Sequence, residues 1–539
     1  VASQNKEVPK NMSQIKNREN FIKNPVAYFC AEYALIDHMP SYAGGLGILA
    51  GDYILEAAAQ DFPLVGFGLY YNKGQNGQTK DGEPDGAKFG LKLVKQGFFR
   101  KKLLISIPIQ DRDVFVQVWQ WKKKNNSVYF LDTNITENNP EDRKITEQLY
   151  VEDREFRIKQ ELILGIGGVR LLRKLKIEPS VYHMNEGHSA FLLLELGKEE
   201  IKKKVVFTNH TLVLEGQEMF AFDSLKNNTA KLCADLKIDI NEIIEKGRLK
   251  PEDKLFSMTS FALNGARITN AVSKIHGEKA RELWPAFLIT HITNGIYIPR
   301  WDKIDSKNNL VSEHQKNEEK LLKLIRETHG DDWKKEALLI GWSRRFVPYK
   351  RPLALLEDVE KLKSILNHFQ GRVHIVYSAP LDMTDSEKNE FLKKINELMS
   401  GDLKGYLTFI PHYRIEIAEI LTAGCDIWLN TPIVGREACG TSGMKASLNG
   451  TLSVSTNDGW INEVPLNNFG WLIDDQNITD NLLQKIQNDI MPKYDSFTQG
   501  DKNSIWEQYM IKAREIILHD FSTTRMLQEY VDKLYLPNI

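Results

Sequence analysis

Cysteine is scarce in this 539-residue chain: only Cys30, Cys233, Cys425 and Cys439, with no Cys-x-x-Cys and no paired metal spacing. That pattern excludes a disulfide scaffold and fits free thiols in a reducing, cytoplasmic setting, where a buried cysteine behaves as a small hydrophobe. Long apolar runs are missing too, so no segment reads as a bilayer-spanning helix. The stretch from Val1 to Asn24 is polar and rich in lysine and asparagine, without the apolar centre of a signal peptide. Charge of one sign is not in surplus: the formal net charge is −1. No global field therefore favours nucleic acid or a membrane as partner. Lys122-Lys123-Lys124 and Lys202-Lys203-Lys204 read as solvated faces. No internal repeat is apparent.

What is present is the composition of a globular enzyme, 42% apolar and 27% charged. A chain of this length exceeds one hydrophobic core, so two domains are expected. The pattern divides it into an arm at 1–24, a first domain at 25–300 and a second at 301–539. The last helices are expected to pack back on the first. The first domain opens with a buried strand at Val26-Ala27-Tyr28-Phe29-Cys30. Further strands are expected at 63–71, within 103–133, at 181–185 and at 205–211, with a long helix at 153–175 and another at 257–280. In the second, strands at 337–343, 372–378, 406–411, 426–430 and 451–455 alternate with helices, including 352–368 and 387–400. Helices near 477–490, 503–518 and 524–535 end the chain. Such alternation predicts an α/β fold with parallel sheets: two Rossmann-like domains facing an interdomain crevice.

Three stretches carry chemistry. The first is Glu437-Ala438-Cys439-Gly440-Thr441-Ser442-Gly443-Met444-Lys445, followed by Leu448-Asn449-Gly450. A loop turning into a helix at 441–449 makes an anion site from exposed N–H groups and the helix dipole. Lys445 then stands one turn inside, beside Met444 and Leu448, where desolvation favours a neutral, nucleophilic amine. By spacing alone it is equally a solvated surface lysine. The second is Arg344-Arg345-Phe346-Val347-Pro348-Tyr349-Lys350-Arg351, directly after a strand: four cations in eight residues, suited to oxyanions. Alone it is also a plain basic loop. The third is Ser41-Tyr42-Ala43-Gly44-Gly45-Leu46-Gly47, running into a helix. Its glycines let backbone N–H groups approach an anion, or serve tight packing. His188 and His210 fall at the carboxyl ends of expected strands, where α/β sheets bind ligands.

Together these blocks resemble the α-glucan (glycogen, maltodextrin, starch) phosphorylases, in the family's order from about residue 26 to 464. The glycine loop, Asn-Glu-Gly-His around His188, Thr-Asn-His-Thr around His210 and Thr-Asn-Gly-Ile around Asn294 add to the likeness. The resemblance implies pyridoxal 5′-phosphate held covalently by Lys445, with Thr441, Ser442, Arg344 and Trp301 around the cofactor. It implies that Arg345, Lys350 and the backbone at Gly45 and Leu46 hold the substrate phosphate. The glucosyl unit would meet His188, His210, Asn294, Tyr349, Glu437 and the peptides of Cys439 and Gly440. The implied reaction transfers a non-reducing-end glucosyl unit from an α-1,4-glucan or maltodextrin to inorganic phosphate, giving α-D-glucose 1-phosphate. No metal is required. A homodimer is the assembly the family suggests, and the chain is a short-form member. Phosphorylation and nucleotide control are not expected, since the arm at 1–24 shows no counterpart of their segment.

Two other readings compete. A nucleotide-sugar glucosyltransferase of the glycogen-synthase type would share the architecture and a carboxylate like Glu437, but needs no lysine at 445. A non-catalytic glucan binder would not need Arg345, Lys350, His210, Glu437 and Lys445 together. Fold alone does not separate the three.

Overall fold

A computed structural model describes residues 15–73, 86–97, 100–213, 216–250, 252–305, 309–380, 386–501 and 504–536. Most of the expected arm lies outside them. Within its described end, Ile15 and Phe21 are buried. The chain divides into two units. The first comprises residues 1–272, 277–292 and 526–539, and the second residues 273–276 and 293–525.

Short β-branched and aromatic runs, buried on both faces, form the strands of each unit, as parallel strands covered by helices require. Among the described residues, the first unit's main sheet runs Ile289–His291, Ile268–Ala271, Val205–Thr208, Val181–Asn185, Val26–Phe29, Leu64–Leu69, Asn126–Asp132. These seven strands are parallel. Arg112–Lys123 then pairs antiparallel, flanked by Leu104–Ile109. Successive residues point to opposite faces. Phe29, Phe67 and Phe207 therefore pack with the helix Arg154–Leu175 on one side. Tyr28 and Val206 pack with the helix Gly45–Ala59 and the C-terminal segment on the other. There Tyr535 hydroxyl meets Tyr53 hydroxyl at 2.7 Å and His183 Nδ1 at 2.8 Å.

The second unit's sheet is parallel throughout: Leu407–Ile410, Val373–Ser378, Leu338–Ser343, Ile427–Asn430, Leu452–Ser455, Trp471–Leu472. In both units the first strand in sequence lies inside the sheet. Strand order reverses on either side of it. That reversal is the topological switch point, where the loops leaving two neighbouring strands diverge and a ligand site opens. In the first unit the diverging strands are Val26–Phe29 and Val181–Asn185, and in the second Leu338–Ser343 and Ile427–Asn430.

Two expectations fail locally. The stretch 257–280 is not one helix: Met258–Gly265 is helical, Ile268–Ala271 is a strand, and a second helix spans Lys274–Leu283. Ile268 and buried Thr269 and Asn270 complete a parallel pairing with Val206–Thr208 that an isolated helix would forgo. The helix expected over 352–368 begins only at Val359, capped by the Asp358 carboxylate accepting from Lys361 N–H at 3.0 Å. No helix among the described residues is long and apolar enough to cross a membrane.

Candidate active site

In the second unit both motif loops leave the switch point. After Leu338–Ser343 the chain bends at Arg344 and leaves the sheet. Arg344 turns inward, Arg345 is exposed, and Phe346 turns back to stack on Trp342 with ring centroids 5.6 Å apart. A single turn, Pro348–Lys350, then carries Lys350 inward. Arg351 is a clamp rather than a ligand. Its guanidinium donates to the Thr431 carbonyl at 2.8 Å and the Pro432 carbonyl at 2.7 Å, binding this loop to the one after Ile427–Asn430.

Glu437 closes a buried ion triad. Its carboxylate lies 2.8 Å from Arg344 Nη2 and 3.1 Å from Lys350 Nζ. Arg344 also donates to Asn430 Oδ1. Burial pushes the Glu437 carboxyl up, but Arg344 and Lys350 outweigh it and hold the group below its usual range. Lys350 is drawn down to about 7, first by burial and then by Arg344, with Glu437 opposing. Among the described residues Arg345 has no ion pair, yet it is near enough to act electrostatically on Tyr349, Lys350 and Glu437.

Asp458, which no sequence pattern marked, fixes the backbone beneath Glu437. Its fully buried carboxylate accepts from the N–H groups of Gly435 at 3.0 Å, Arg436 at 3.2 Å, Glu437 at 2.9 Å and Gly459 at 2.8 Å. Burial raises this carboxyl to about 6, against the pull of those donors. Ser273 Oγ donates to the Ala438 carbonyl at 2.6 Å, and Trp460 N–H to that of Cys439 at 3.0 Å. Asn294 N–H bonds the buried Cys439 sulfur.

Gly440 then adopts φ 83°, a left-handed turn that a side chain would strain, and the helix Thr441–Leu448 begins. Thr441 and Ser442 are half-buried at its start, with Ser442 Oγ accepting from Trp428 Nε1 at 3.2 Å. Arg344 Nη2 stands 3.4 Å from the position a Cβ on Gly440 would take. Lys445 is 5% exposed, and its ammonium lies 3.9 Å from the ring centroid of buried Trp301. The solvated-surface reading of this lysine is thus excluded. Asn449, in the motif but given no role by the sequence, donates to the Trp301 carbonyl at 2.9 Å and the Lys445 carbonyl at 2.8 Å, fixing lysine and indole together. The donor set of guanidinium, helix N-terminus and two hydroxyls suits a phosphate monoester. A buried lysine against an aromatic face suits a flat ring carrying an aldehyde. These residues fit pyridoxal 5′-phosphate. Asn294 is buried with its Oδ1 unpartnered among the described residues, and Tyr349 is half-buried.

In the first unit the glycine loop meets a carboxylate. Glu32 Oε2 accepts from Ala43 N–H at 2.7 Å and Gly44 N–H at 3.2 Å, and Tyr150 hydroxyl donates to its other oxygen. Gly47 serves packing, since a Cβ there would lie 2.8 Å from the Glu32 Cβ. Gly45 faces open space and is exposed, with Leu46 half-buried. From the neighbouring strands, His210 Nε2 pairs with Asn185 Oδ1 at 2.8 Å, and its backbone N–H donates to Glu186 at 3.0 Å. His188 is buried with Nδ1 unpartnered among the described residues. Burial, then Arg157, draws it down to about 4. Its Nδ1 or Nε2 and carboxylate oxygens of Glu161 and Glu218 lie within 4.8 Å of one another. Arg157 is ion-paired to Glu218 and stands over the Tyr150 ring at 4.7 Å. Sequence reading missed Glu32, Tyr150, Arg157, Glu161 and Glu218. The one signal was the four-residue spacing of Arg157 and Glu161 on a helix.

Comparison with known proteins bears on this site. A family model described as carbohydrate phosphorylase matches residues 301–467. A maltodextrin phosphorylase of Thermococcus litoralis is 32% identical, covering 95% of this chain and 70% of the relative. A glycogen phosphorylase of Aquifex aeolicus is 30% identical, covering 97% and 88%. An uncharacterized protein of Methanocaldococcus jannaschii is 30% identical, covering 95% and 99%.

Proposed function

This chain belongs to the carbohydrate phosphorylase family, and from that premise we propose that it is an α-1,4-glucan phosphorylase. It takes a glucosyl unit from the non-reducing end of a glucan or maltodextrin and gives α-D-glucose 1-phosphate with retention. The observation that carries the reading is buried Lys445 against Trp301, one turn beyond a helix N-terminus flanked by Arg344. Lys445 holds pyridoxal 5′-phosphate covalently, beside Trp301. Thr441, Ser442, the helix amides and Arg344 hold its phosphate. When bound, that phosphate monoester has a second pKa near ~6 and serves as a proton reservoir for a neighbouring phosphate at neutral pH.

The chain's own residues do the rest. Arg345 and Lys350 hold inorganic phosphate, and the backbone at Gly45 and Leu46 donates to it. That phosphate gives a proton to the glycosidic oxygen as the C1–O bond breaks. It then attacks the developing oxocarbenium carbon from the same face, forming the new C1–O bond. Fixed positive charge stabilises the anions at no cost of reorganisation. Asn294, Glu437, Tyr349, His188, His210 and the peptides of Cys439 and Gly440 orient the sugar.

The test is formation of glucose 1-phosphate from maltodextrin and inorganic phosphate. Arg345→Ala is expected to impair phosphate use far more than glucan binding. Normal phosphorolysis by that variant contradicts the phosphate site. Glucosyl transfer from a nucleotide sugar without phosphate consumption contradicts the reaction.

A further inference from the structure

Glu437 has two claims on one carboxylate. The reading above gives it to sugar hydroxyls, yet it is ion-paired to Lys350 and Arg344, at 3.1 and 2.8 Å. Lys350 is also a cation assigned to inorganic phosphate. All three side chains are buried, at 9%, 5% and 7% exposure for Lys350, Arg344 and Glu437. An oxyanion on Lys350 and the Glu437 carboxylate therefore compete for the same donor where water screens little. With Lys350 protonated the triad carries a net charge of +1. A phosphate dianion added beside an unmoved carboxylate would leave −1 among these groups, and exposed Arg345 nearby brings the total only to zero while the two anions still repel. Moving the carboxylate away removes that conflict.

The backbone restricts how Glu437 can move. Three successive N–H groups, of Gly435, Arg436 and Glu437, are held by Asp458. The carbonyls of Ala438 and Cys439 are held by Ser273 and Trp460. What is left is rotation of the Glu437 side chain about its own bonds.

We infer that Glu437 gates the oxyanion site: its carboxylate is an internal anion on Lys350 and Arg344, inorganic phosphate displaces it, and glucan hydroxyls that engage the displaced carboxylate favour the exchange. Glucan and phosphate then bind with positive coupling, which by linkage is reciprocal. The identity of both ligands rests on the phosphorylase reading; the ion triad does not.

The experiment titrates inorganic phosphate into the full chain loaded with pyridoxal phosphate, by calorimetry, with and without a maltooligosaccharide. Wild-type protein is expected to bind phosphate about tenfold tighter when the oligosaccharide is present. Glu437→Gln keeps the shape and removes the competing charge. It is expected to bind phosphate about tenfold tighter than wild type without sugar, and to lose the coupling. Glu437→Asp, whose shorter side chain draws the carboxylate back from the cations, is expected between the two and stands in should the glutamine variant not fold. Variants that bind phosphate no tighter than wild type overturn the gate. So does wild-type protein that makes glucose 1-phosphate but shows no coupling. Protein that makes none removes the phosphorylase reading, and the gate with it.

Discussion

In the cluster that includes Arg157, the first unit gathers carboxylates: Glu32, Glu161 and Glu186 are buried and Glu218 is half-buried. Around Glu437, the second unit gathers cations, Arg344 and Lys350, with Arg345 exposed beside them. The two switch points are alike in topology and opposite in charge. A surplus of acceptors around one buried guanidinium suits hydroxyl and N–H donors, and Glu32 and Glu186 already bind backbone N–H groups in that way. A surplus of buried cations around one carboxylate suits an oxyanion. Chemistry is thus set by which side chains the loops carry, while the sheet only brings those loops together.

The contrast breaks most visibly at its odd members. Arg157→Met removes the buried cation of the acidic cluster and leaves Glu218 with only the more exposed Arg154 as ion partner among the described residues. A loss of about 3–5 kcal/mol is expected, read as a lower urea midpoint. An unchanged midpoint would mean that Arg157 is not what balances those carboxylates.

Lys350→Arg sharpens the other side. Lys350 titrates near 7, drawn down by burial and then Arg344 and Arg345, with Glu437 opposing. An oxyanion favours the ammonium, so binding takes up a proton above pH 7. Affinity for sulfate, which does not itself titrate there, should fall between pH 7 and 8.5 by up to about tenfold per unit. The arginine variant stays charged and should flatten that slope. Equal slopes would place the titrating group elsewhere.

The smallest effect is expected at Glu161. Both carboxylate oxygens lack hydrogen-bond partners among the described residues. Burial, then Glu218, lifts this carboxyl well above its ordinary 4.5. The unfolded chain gives up the proton first, so the native state loses stability as pH rises from there through the folded value. Glu161→Gln removes that dependence. It should stabilise the protein at pH 8.5 by about 1 kcal/mol, with a smaller gain at pH 6, measured by denaturant titration. A gain independent of pH would contradict a buried, titrating Glu161.

Much of this was legible in the chain because it is local. All five strands foreseen in the second half are present, at Leu338–Ser343, Val373–Ser378, Leu407–Ile410, Ile427–Asn430 and Leu452–Ser455, since buried parallel strands are short apolar runs between loops. The same feature explains the error at 257–280, where periodicity does not separate a short buried strand from a helix. The loop-to-helix turn at Gly440 was readable from glycine and a helical composition after it. Asp458 was not, because an aspartate that gathers three N–H groups from twenty-odd residues upstream leaves no local pattern. Nor was the acidic cluster, whose members leave different strands and helices and meet only through the sheet's topology.

The central claim is that Lys445 is a cofactor lysine, and it is tested most directly by trapping. The purified protein is incubated with pyridoxal phosphate, reduced with borohydride, digested and mapped by mass spectrometry. One stoichiometric adduct on Lys445, lost in Lys445→Ala, is the predicted result. No adduct at Lys445, or label scattered over exposed lysines, would contradict the account.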